Sequence, residues 1–418
     1  MKIAYISKAD RAGGGASLVA EELTTLFNEK GHQAHHYFAI GAHDGRNKLP
    51  LYGARALPAL LLRRIHTLSR YMGLPEIVPV ELTFLLFKKR ILEYDLVHFH
   101  DLCGAISPLT VAIISKLRPT VWTFHDCSPF TGGCLYPMGC ERFKSRCTHC
   151  PQLGNWPINT PIDLTGTMQA IKQKVVRNSN LSIVTPSRWM AGMVDKSSLN
   201  GQYPVVIPNG INTNAYKPFN KIAARTKLNI PTDRFVVIII ATFLEDARKG
   251  IKYALAALLK IKESNPFLIL MGNVNDEVKA LFKDFSCMVT GYVRGDTEKS
   301  ILFSAADVFL FSSLADNMPL VILETMATAT PTVGFRTGGV PEMIQHEKSG
   351  FMVEQRDVDG LASGLKRAME KQVSQTWGAN ARKEVEKKFS YDRFFNNHLD
   401  LYKRGIDRHP KKKALDIT

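Results

Sequence analysis

Two carboxylates, eight residues apart, mark a candidate anion site in the C-terminal half of the sequence. Asp316 follows the apolar run 307–313, which has the composition of a buried strand. Glu324 lies in a helix predicted from Pro319 to about Ala329, and proline is tolerated at a helix start because its missing N–H would be unpaired there anyway. A strand, a tight loop and a helix N-terminus leave unpaired N–H groups at one point, so this stretch predicts a site for a negatively charged group.

Two further elements could contribute to binding an anion. Arg248 and Lys249 directly precede a predicted helix. Positive charge at a helix start interacts unfavourably with the helix dipole. The pair is therefore either a surface feature without a function or a site that binds a diphosphate. The run of Gly13, Gly14 and Gly15 between the first strand and the first helix fits a tight turn or a close approach to phosphate, although its spacing differs from G-x-G-x-x-G.

Two predicted strands, 95–100 and 120–125, each end in a His-Asp pair. The second pair is His125 and Asp126. Ligands of open parallel sheets bind beyond the carboxyl ends of the strands, so both pairs lie where a site is expected. A histidine at a strand end is also commonly structural, and the residues alone leave both interpretations open.

Length and composition predict a globular protein of two domains, since 418 residues exceed what one core usually supports. Strands alternate with helical patterns in both halves, which predicts an α/β protein with mostly parallel sheets. The predicted parts are an N-terminal domain (1–203), a C-terminal domain (204–389), a last helix (390–405) and a basic tail (406–418). The net charge of +16 predicts attraction to polyanions: nucleic acid, an anionic membrane or a phosphorylated substrate.

A cysteine-rich loop, predicted over 127–160, follows the second His-Asp pair. It holds five of the seven cysteines, and four of them form a candidate ligand set: Cys134, Cys140, Cys147 and Cys150. Only the last two have the C-x-x-C spacing of a zinc ribbon. A structural zinc site, packed free thiols and a redox pair all remain open.

The segment 55–90 combines a basic composition with apolar residues at helical spacing, among them Leu61, Leu68 and Met72. This pattern fits a helix lying on an anionic membrane, and it fits equally a core-facing helix with a solvated side. We find no signal peptide and no run of 18 apolar residues, so we expect a cytoplasmic protein that could bind the inner face of the membrane peripherally.

The stretch 307–342 resembles the donor-site motif of the retaining family 4 glycosyltransferases. Their motif has a Glu, seven residues and a second Glu before a small-residue helix, a strand and a Gly-Gly-x-Pro-Glu turn. Glu324 matches the second Glu, and the turn is matched by Gly338, Gly339, Pro341 and Glu342. Asp316 stands where the first Glu is expected and is one methylene shorter. A cysteine-rich insertion similar to the one here occurs in a bacterial polysaccharide subgroup of these enzymes.

The resemblance implies a GT-B fold, in which two Rossmann-like domains face each other across a cleft. It implies transfer of a sugar from a nucleotide diphosphate sugar to a saccharide acceptor, lipid-linked in many such enzymes, with no cofactor required for catalysis. The implied catalytic residues are His125, Asp126, Asp316 and Glu324. The implied donor-binding residues are Gly13, Gly14, Gly15, Arg248, Lys249, Asn317, Met318, Pro319, Leu320 and Glu324.

Two rival functions use the same features differently. A GT-B-like epimerase or hydrolase would bind the same donor without an acceptor. A nucleic-acid-binding protein would use the positive charge and a zinc loop, but it has no role for Asp316 and Glu324, so we expect no nucleic-acid partner.

Overall fold

The computed structural model describes residues 1–42, 45–52, 56–244 and 246–409. They form two compact units. The N-terminal unit comprises residues 1–207 together with the chain from Phe395 onward, and the C-terminal unit is Pro208–Phe394. The predicted basic tail beyond residue 409 and the predicted contribution of Arg55 lie outside the described residues.

A seven-stranded sheet forms the centre of the N-terminal unit, in the order β3-β2-β1-β4-β5-β6-β7 with every neighbouring pair parallel. Its strands are β1 (Lys2–Ala9), β2 (Gln33–Ile40), β3 (Lys48–Pro50), β4 (Leu96–Phe99), β5 (Thr120–Thr123), β6 (Leu181–Thr185) and β7 (Val205–Val206). The strand order reverses between β1 and β4, which is where open α/β sheets bind ligands.

A six-stranded parallel sheet forms the C-terminal unit, in the order β10-β9-β8-β11-β12-β13. Its strands are β8 (Val236–Phe243), β9 (Phe267–Asn273), β10 (Ser286–Gly291), β11 (Val308–Phe311), β12 (Thr332–Phe335) and β13 (Gly350–Val353). Counted from β8, this is the Rossmann order 3-2-1-4-5-6, and it reverses between β8 and β11. The predicted α/β class with two Rossmann-like halves is therefore confirmed.

Helices cover the sheets of both units. In the N-terminal unit they are α1 (Gly15–Glu29), α2 (Ala56–Tyr71), α3 (Leu82–Leu86), α4 (Pro108–Leu117), α5 (Thr165–Arg177) and α6 (Arg188–Asp195). In the C-terminal unit they are α7 (Lys221–Lys227), α8 (Ile251–Leu259), α9 (Asp276–Leu281), α10 (Asp296–Ala305), α11 (Leu320–Ala327), α12 (Val340–Met343), α13 (Val358–Met369) and α14 (Lys371–Lys388). The last helix, α15 (Tyr391–Arg408), begins in the C-terminal unit, and its residues from Phe395 belong to the N-terminal unit.

Buried apolar side chains explain why these segments adopt these elements. The strands β4, β5, β11 and β12 are buried along their whole length, as expected for parallel strands covered by helices on both faces. On α15, Phe395 packs its ring 4.7 Å from that of Phe27, and the Tyr402 hydroxyl lies 2.6 Å from Nδ1 of His98. Helix α15 is thus anchored to the first sheet.

Candidate functional site

The loops after β8 and β11 meet at the point where the second sheet reverses its strand order. Arg248 and Lys249 follow β8, and Asp316 follows β11. Lys249 Nζ lies 2.7 Å from Asp316 Oδ2, and both side chains are mostly buried, at 24% and 16% exposure. The predicted diphosphate-binding cation and the predicted sugar-binding carboxylate are therefore paired with each other.

Arg248 is held in the same place by several hydrogen bonds. Its Nη2 lies 3.0 Å from Asp246 Oδ2, its Nη1 donates to the carbonyl of Ala315, and its own carbonyl accepts from Leu314 N at 2.8 Å. The Ser312 hydroxyl donates to the Lys249 carbonyl. These bonds join the two loops, so the basic pair has a defined position.

Two glycines with positive φ allow the loops to approach this closely. At Gly250 (φ +66°) a Cβ would lie 2.1 Å from the Ser312 carbonyl oxygen. At Gly338 (φ +56°) it would lie 1.7 Å from the Asp316 carbonyl oxygen. Any side chain at Gly338 would displace the loop that carries Asp316, which gives a steric reason for the glycine turn after β12.

The N-terminus of α11 lies directly after this loop. Pro319 is the N-cap residue of this helix, and its side chain offers the first N–H groups of the helix no acceptor. The turn before it is held by two bonds: Asn209 Nδ2 donates to the Met318 carbonyl at 3.0 Å, and Gly339 N donates to the Asn317 carbonyl at 2.8 Å. Asn317 and Met318 are both buried.

Glu324, on α11, is 5% exposed and has two partners that the sequence did not predict. Its Oε1 lies 2.9 Å from Lys299 Nζ and 3.1 Å from the Tyr216 hydroxyl, which also lies 2.9 Å from Asp296 Oδ1. Burial lowers the pKa of Lys299 and the Glu324 carboxylate raises it, with a net upward shift, so the pair is ionic. Both of these contacts are made by Oε1 of the Glu324 carboxylate.

The glycine run lies between β1 and α1, in the N-terminal unit. A Cβ on Gly13 would lie 2.3 Å from the Cβ of Ala9, and Gly14 has φ +104°. Helix α1 then begins at Gly15 without a side-chain cap. The glycines are therefore required by the turn itself, and the turn ends at an uncapped helix start of the kind that attracts anions.

His125 and Asp126 follow β5 in the same unit. His125 Nε2 lies 2.9 Å from Nδ1 of His100, and burial together with His398 lowers the pKa of His125 to about 3, so the ring is neutral near pH 7. Burial and Asp101 raise the pKa of Asp126 to about 6. Asp101 itself forms an ion pair with Lys8, at 2.9 Å.

The four predicted zinc ligands, Cys134, Cys140, Cys147 and Cys150, line one small cavity in the loop after β5. All are free thiols. In the described residues, however, no group of three or more His, Cys, Asp or Glu side chains is arranged to hold a metal ion. Zinc binding by this loop therefore stays a prediction.

In α2, three apolar side chains point outward: Leu61, Leu68 and Tyr71 are 60% to 63% exposed. On the opposite side, His66 and Ser69 are buried. Each helix in the described part of the chain is too short or too polar to span a bilayer.

Comparison with known proteins places these features in a family. The model for Glycosyltransferase Family 4 matches residues 13–215, and the model for Glycosyl transferases group 1 matches residues 220–384. An uncharacterized glycosyltransferase of Methanocaldococcus jannaschii is 30% identical over 219 residues, which cover 48% of this chain and 54% of that protein. The chain thus spans little more than half the length of that relative.

Two further proteins are similar over more of their length. The putative colanic acid biosynthesis glycosyl transferase WcaC of Escherichia coli is 25% identical, covering 68% of this chain and 67% of its own. The structure of Alr3699/HepE from Anabaena, in complex with UDP and glucose, superposes with a TM-score of 0.66 at 19% identity, covering 96% of this chain and 99% of the other.

The fold is that of a GT-B protein, and the paired basic and acidic residues lie at the strand-order reversal of its second sheet. The two family models together match most of the chain, which belongs to the GT-B glycosyltransferases of family 4.

Proposed function

We propose that this enzyme transfers a sugar from a nucleoside diphosphate sugar to a saccharide acceptor with retention of anomeric configuration, in the assembly of a bacterial surface polysaccharide. The observation that carries the proposal is the cluster of Lys249, Asp316 and Glu324 around the uncapped start of α11. The colanic acid role in the name of WcaC and the UDP and glucose bound to HepE support this donor and this pathway class.

The cluster suits the electrostatics of the reaction. As the bond between sugar and phosphate breaks, negative charge grows on the leaving diphosphate, and donors already oriented toward that charge stabilise the transition state. Lys249, Arg248 and the first N–H groups of α11 supply such donors without a metal ion. Glu324 Oε2 accepts from a ribose hydroxyl, and Asp316 contacts the transferred sugar once Lys249 turns to the diphosphate.

The acceptor hydroxyl loses its proton to the leaving phosphate in this scheme. The neutral His125 near the transferred sugar then serves as a hydrogen-bonding group. No protein side chain has to act as a nucleophile, which is consistent with Asp316 and Glu324 each being paired with a lysine.

The test combines donor binding with product analysis. We expect one class of nucleoside diphosphate sugar, with UDP-sugars tested first, to raise the melting temperature, and we expect its sugar to appear on a saccharide acceptor in the same anomeric configuration. Free sugar or an epimer, formed at the same rate with and without acceptors, would instead identify the hydrolase or epimerase. Absence of any shift with all sugar nucleotides would reject the donor site.

We further propose that α2 contacts an anionic membrane surface that carries a lipid-linked acceptor. Its outward side presents Leu61, Leu68 and Tyr71, followed by the exposed Met72, while Arg64 on the same helix is exposed as well. Apolar side chains beside basic ones are the pattern of an interfacial helix, and the net charge of +16 adds long-range attraction.

Vesicle sedimentation tests this contact. Binding should require anionic lipid and weaken as salt rises, because each basic residue near the surface contributes about 1 kcal/mol. Leu68→Asp should reduce binding, whereas the control Leu259→Asp, at an exposed leucine of α8 in the other unit, should not. Equal binding of both variants, or equal binding to neutral vesicles, would refute the proposed surface.

A further inference from the structure

Three histidine rings lie together at the ends of β4 and β5. His98 and His100 are nearly inaccessible to solvent, with ring centroids 4.1 Å apart. His100 in turn stacks on His125, with ring centroids 5.2 Å apart and planes inclined by 26°. Within the described residues, the ring of His100 makes one hydrogen bond, the 2.9 Å contact from its Nδ1 to Nε2 of His125, and its Nε2 has no hydrogen-bond partner there.

One hydrogen atom is shared in that contact, and its position sets the tautomers of both rings. Burial lowers the pKa of His100 and of His125, so both rings are neutral and each carries a single N–H. If His125 donated from Nε2, the single N–H of His100 would be at its own Nε2. That atom is buried without a hydrogen-bond partner. If His100 donates from Nδ1, the same atom is only an unused acceptor.

Buried N–H groups without a partner are rarer in proteins than acceptors that are left unsatisfied. We propose that His100 is a positioning residue, which donates from Nδ1 to Nε2 of His125 and so keeps the single proton of His125 on Nδ1. The ring of His100 has little freedom to rotate, because it packs against the ring of His98. His98 is itself fixed by hydrogen bonds at both ring nitrogens, with the Tyr402 hydroxyl at Nδ1 and the Thr123 hydroxyl at Nε2.

The position of this proton determines what His125 can do in the reaction. This consequence, unlike the hydrogen bond itself, rests on the proposed function. A ring whose Nε2 lone pair is engaged and whose Nδ1 carries the proton offers a hydrogen-bond donor to an oxygen of the transferred sugar. It cannot take the proton of the acceptor hydroxyl. His125 then orients the sugar, and the proton of the acceptor leaves with the phosphate.

Nitrogen NMR on the full chain with ¹⁵N-labelled histidine reads the tautomer directly. The signals of His125 are assigned by their loss in His125→Asn. We expect a protonated Nδ1 and an unprotonated Nε2 near pH 7. A protonated Nε2 would overturn the proposal, and this measurement needs no transferase activity. If the tautomer is as expected but no sugar is transferred, the proposed function fails while the hydrogen-bond assignment stands.

Variants of His100 distinguish a role in positioning His125 from a role in packing alone. His100→Phe keeps a ring but cannot donate, so the His125 tautomers should mix and kcat should fall about tenfold, the scale of one hydrogen bond, with the donor KM unchanged. His100→Asn retains an N–H near the Nδ1 position, so it should restore most of the single His125 tautomer and most of kcat. The control is His36→Asn, at another buried histidine of the same sheet. It should leave the His125 signals unchanged. An unaltered tautomer in His100→Phe would overturn the proposal, and if that variant does not fold, the wild-type spectrum decides.

Discussion

The ion pair between Lys249 and Asp316 leads to a prediction about nucleotide affinity in Asp316→Asn. The two charged atoms lie 2.7 Å apart in a mostly buried setting, so a diphosphate that binds Lys249 competes with the Asp316 carboxylate for its ammonium group. A hydrogen bond to a charged group contributes about 1.5 to 3 kcal/mol, and about 1.4 kcal/mol corresponds to a factor of ten in affinity. Removing the carboxylate charge should therefore tighten binding of the nucleoside diphosphate about tenfold.

Turnover should change in the opposite direction. Asp316 is the group that the resemblance places on the transferred sugar, so Asp316→Asn should lower kcat even as the product-like nucleotide binds more tightly. Calorimetric titration with the nucleoside diphosphate, combined with initial rates, measures both effects. The matched control is Asp359→Asn, which removes the partner of Lys260 from an ion pair of 2.9 Å on the surface of the same unit. Unchanged or weaker nucleotide binding in Asp316→Asn, relative to this control, would refute the reasoning.

Three other outcomes follow from the same contacts. Glu324→Gln should weaken donor binding about tenfold without unfolding the protein, since it loses a charged hydrogen-bond acceptor. Lys299→Met should also weaken donor binding, because the buried carboxylate loses the ammonium group that orients it. Wild-type donor affinity in Lys299→Met would argue against this role. Activity should survive brief treatment with EDTA, and a loss that Mg²⁺ or Mn²⁺ reverses would show a catalytic metal. Elemental analysis should give about one zinc per chain, lost together with stability in Cys147→Ser, whereas metal-free protein of full stability would leave only packed thiols.

Much of the fold could be predicted from the sequence because parallel strands are continuous apolar runs. The strands predicted within 95–100, 120–125 and 307–313 are present as β4, β5 and β11. Strand β2 was missed, since its sequence QAHHYFAI places two histidines inside an otherwise apolar run. Strand β13 is only four residues long and begins with glycine, which gives no pattern to detect.

The donor cluster could be predicted in part. Asp316, Glu324 and Lys249 were found through their loops and through a motif, and the structure brings Asp316 and Lys249 into contact. The partners of Glu324 could not be found in this way. Tyr216 lies 108 residues before Glu324 and Lys299 lies 25 before it, each in a stretch with no motif, and only the packing of α10 beside α11 brings them together.

Helix α2 shows why periodicity alone can leave two interpretations open. The spacing of its leucines defines an apolar side but does not say which side faces the protein. In the structure the polar side is buried, because it has polar partners that are distant in sequence: His66 lies 3.7 Å from the buried Glu81, and Arg70 pairs with Glu76 at 2.6 Å. Glu81 accepts in turn from the backbone N–H of Ser107, at the start of α4. The polar side of α2 therefore faces inward beside charged groups, and Leu61 and Leu68 are left on the surface.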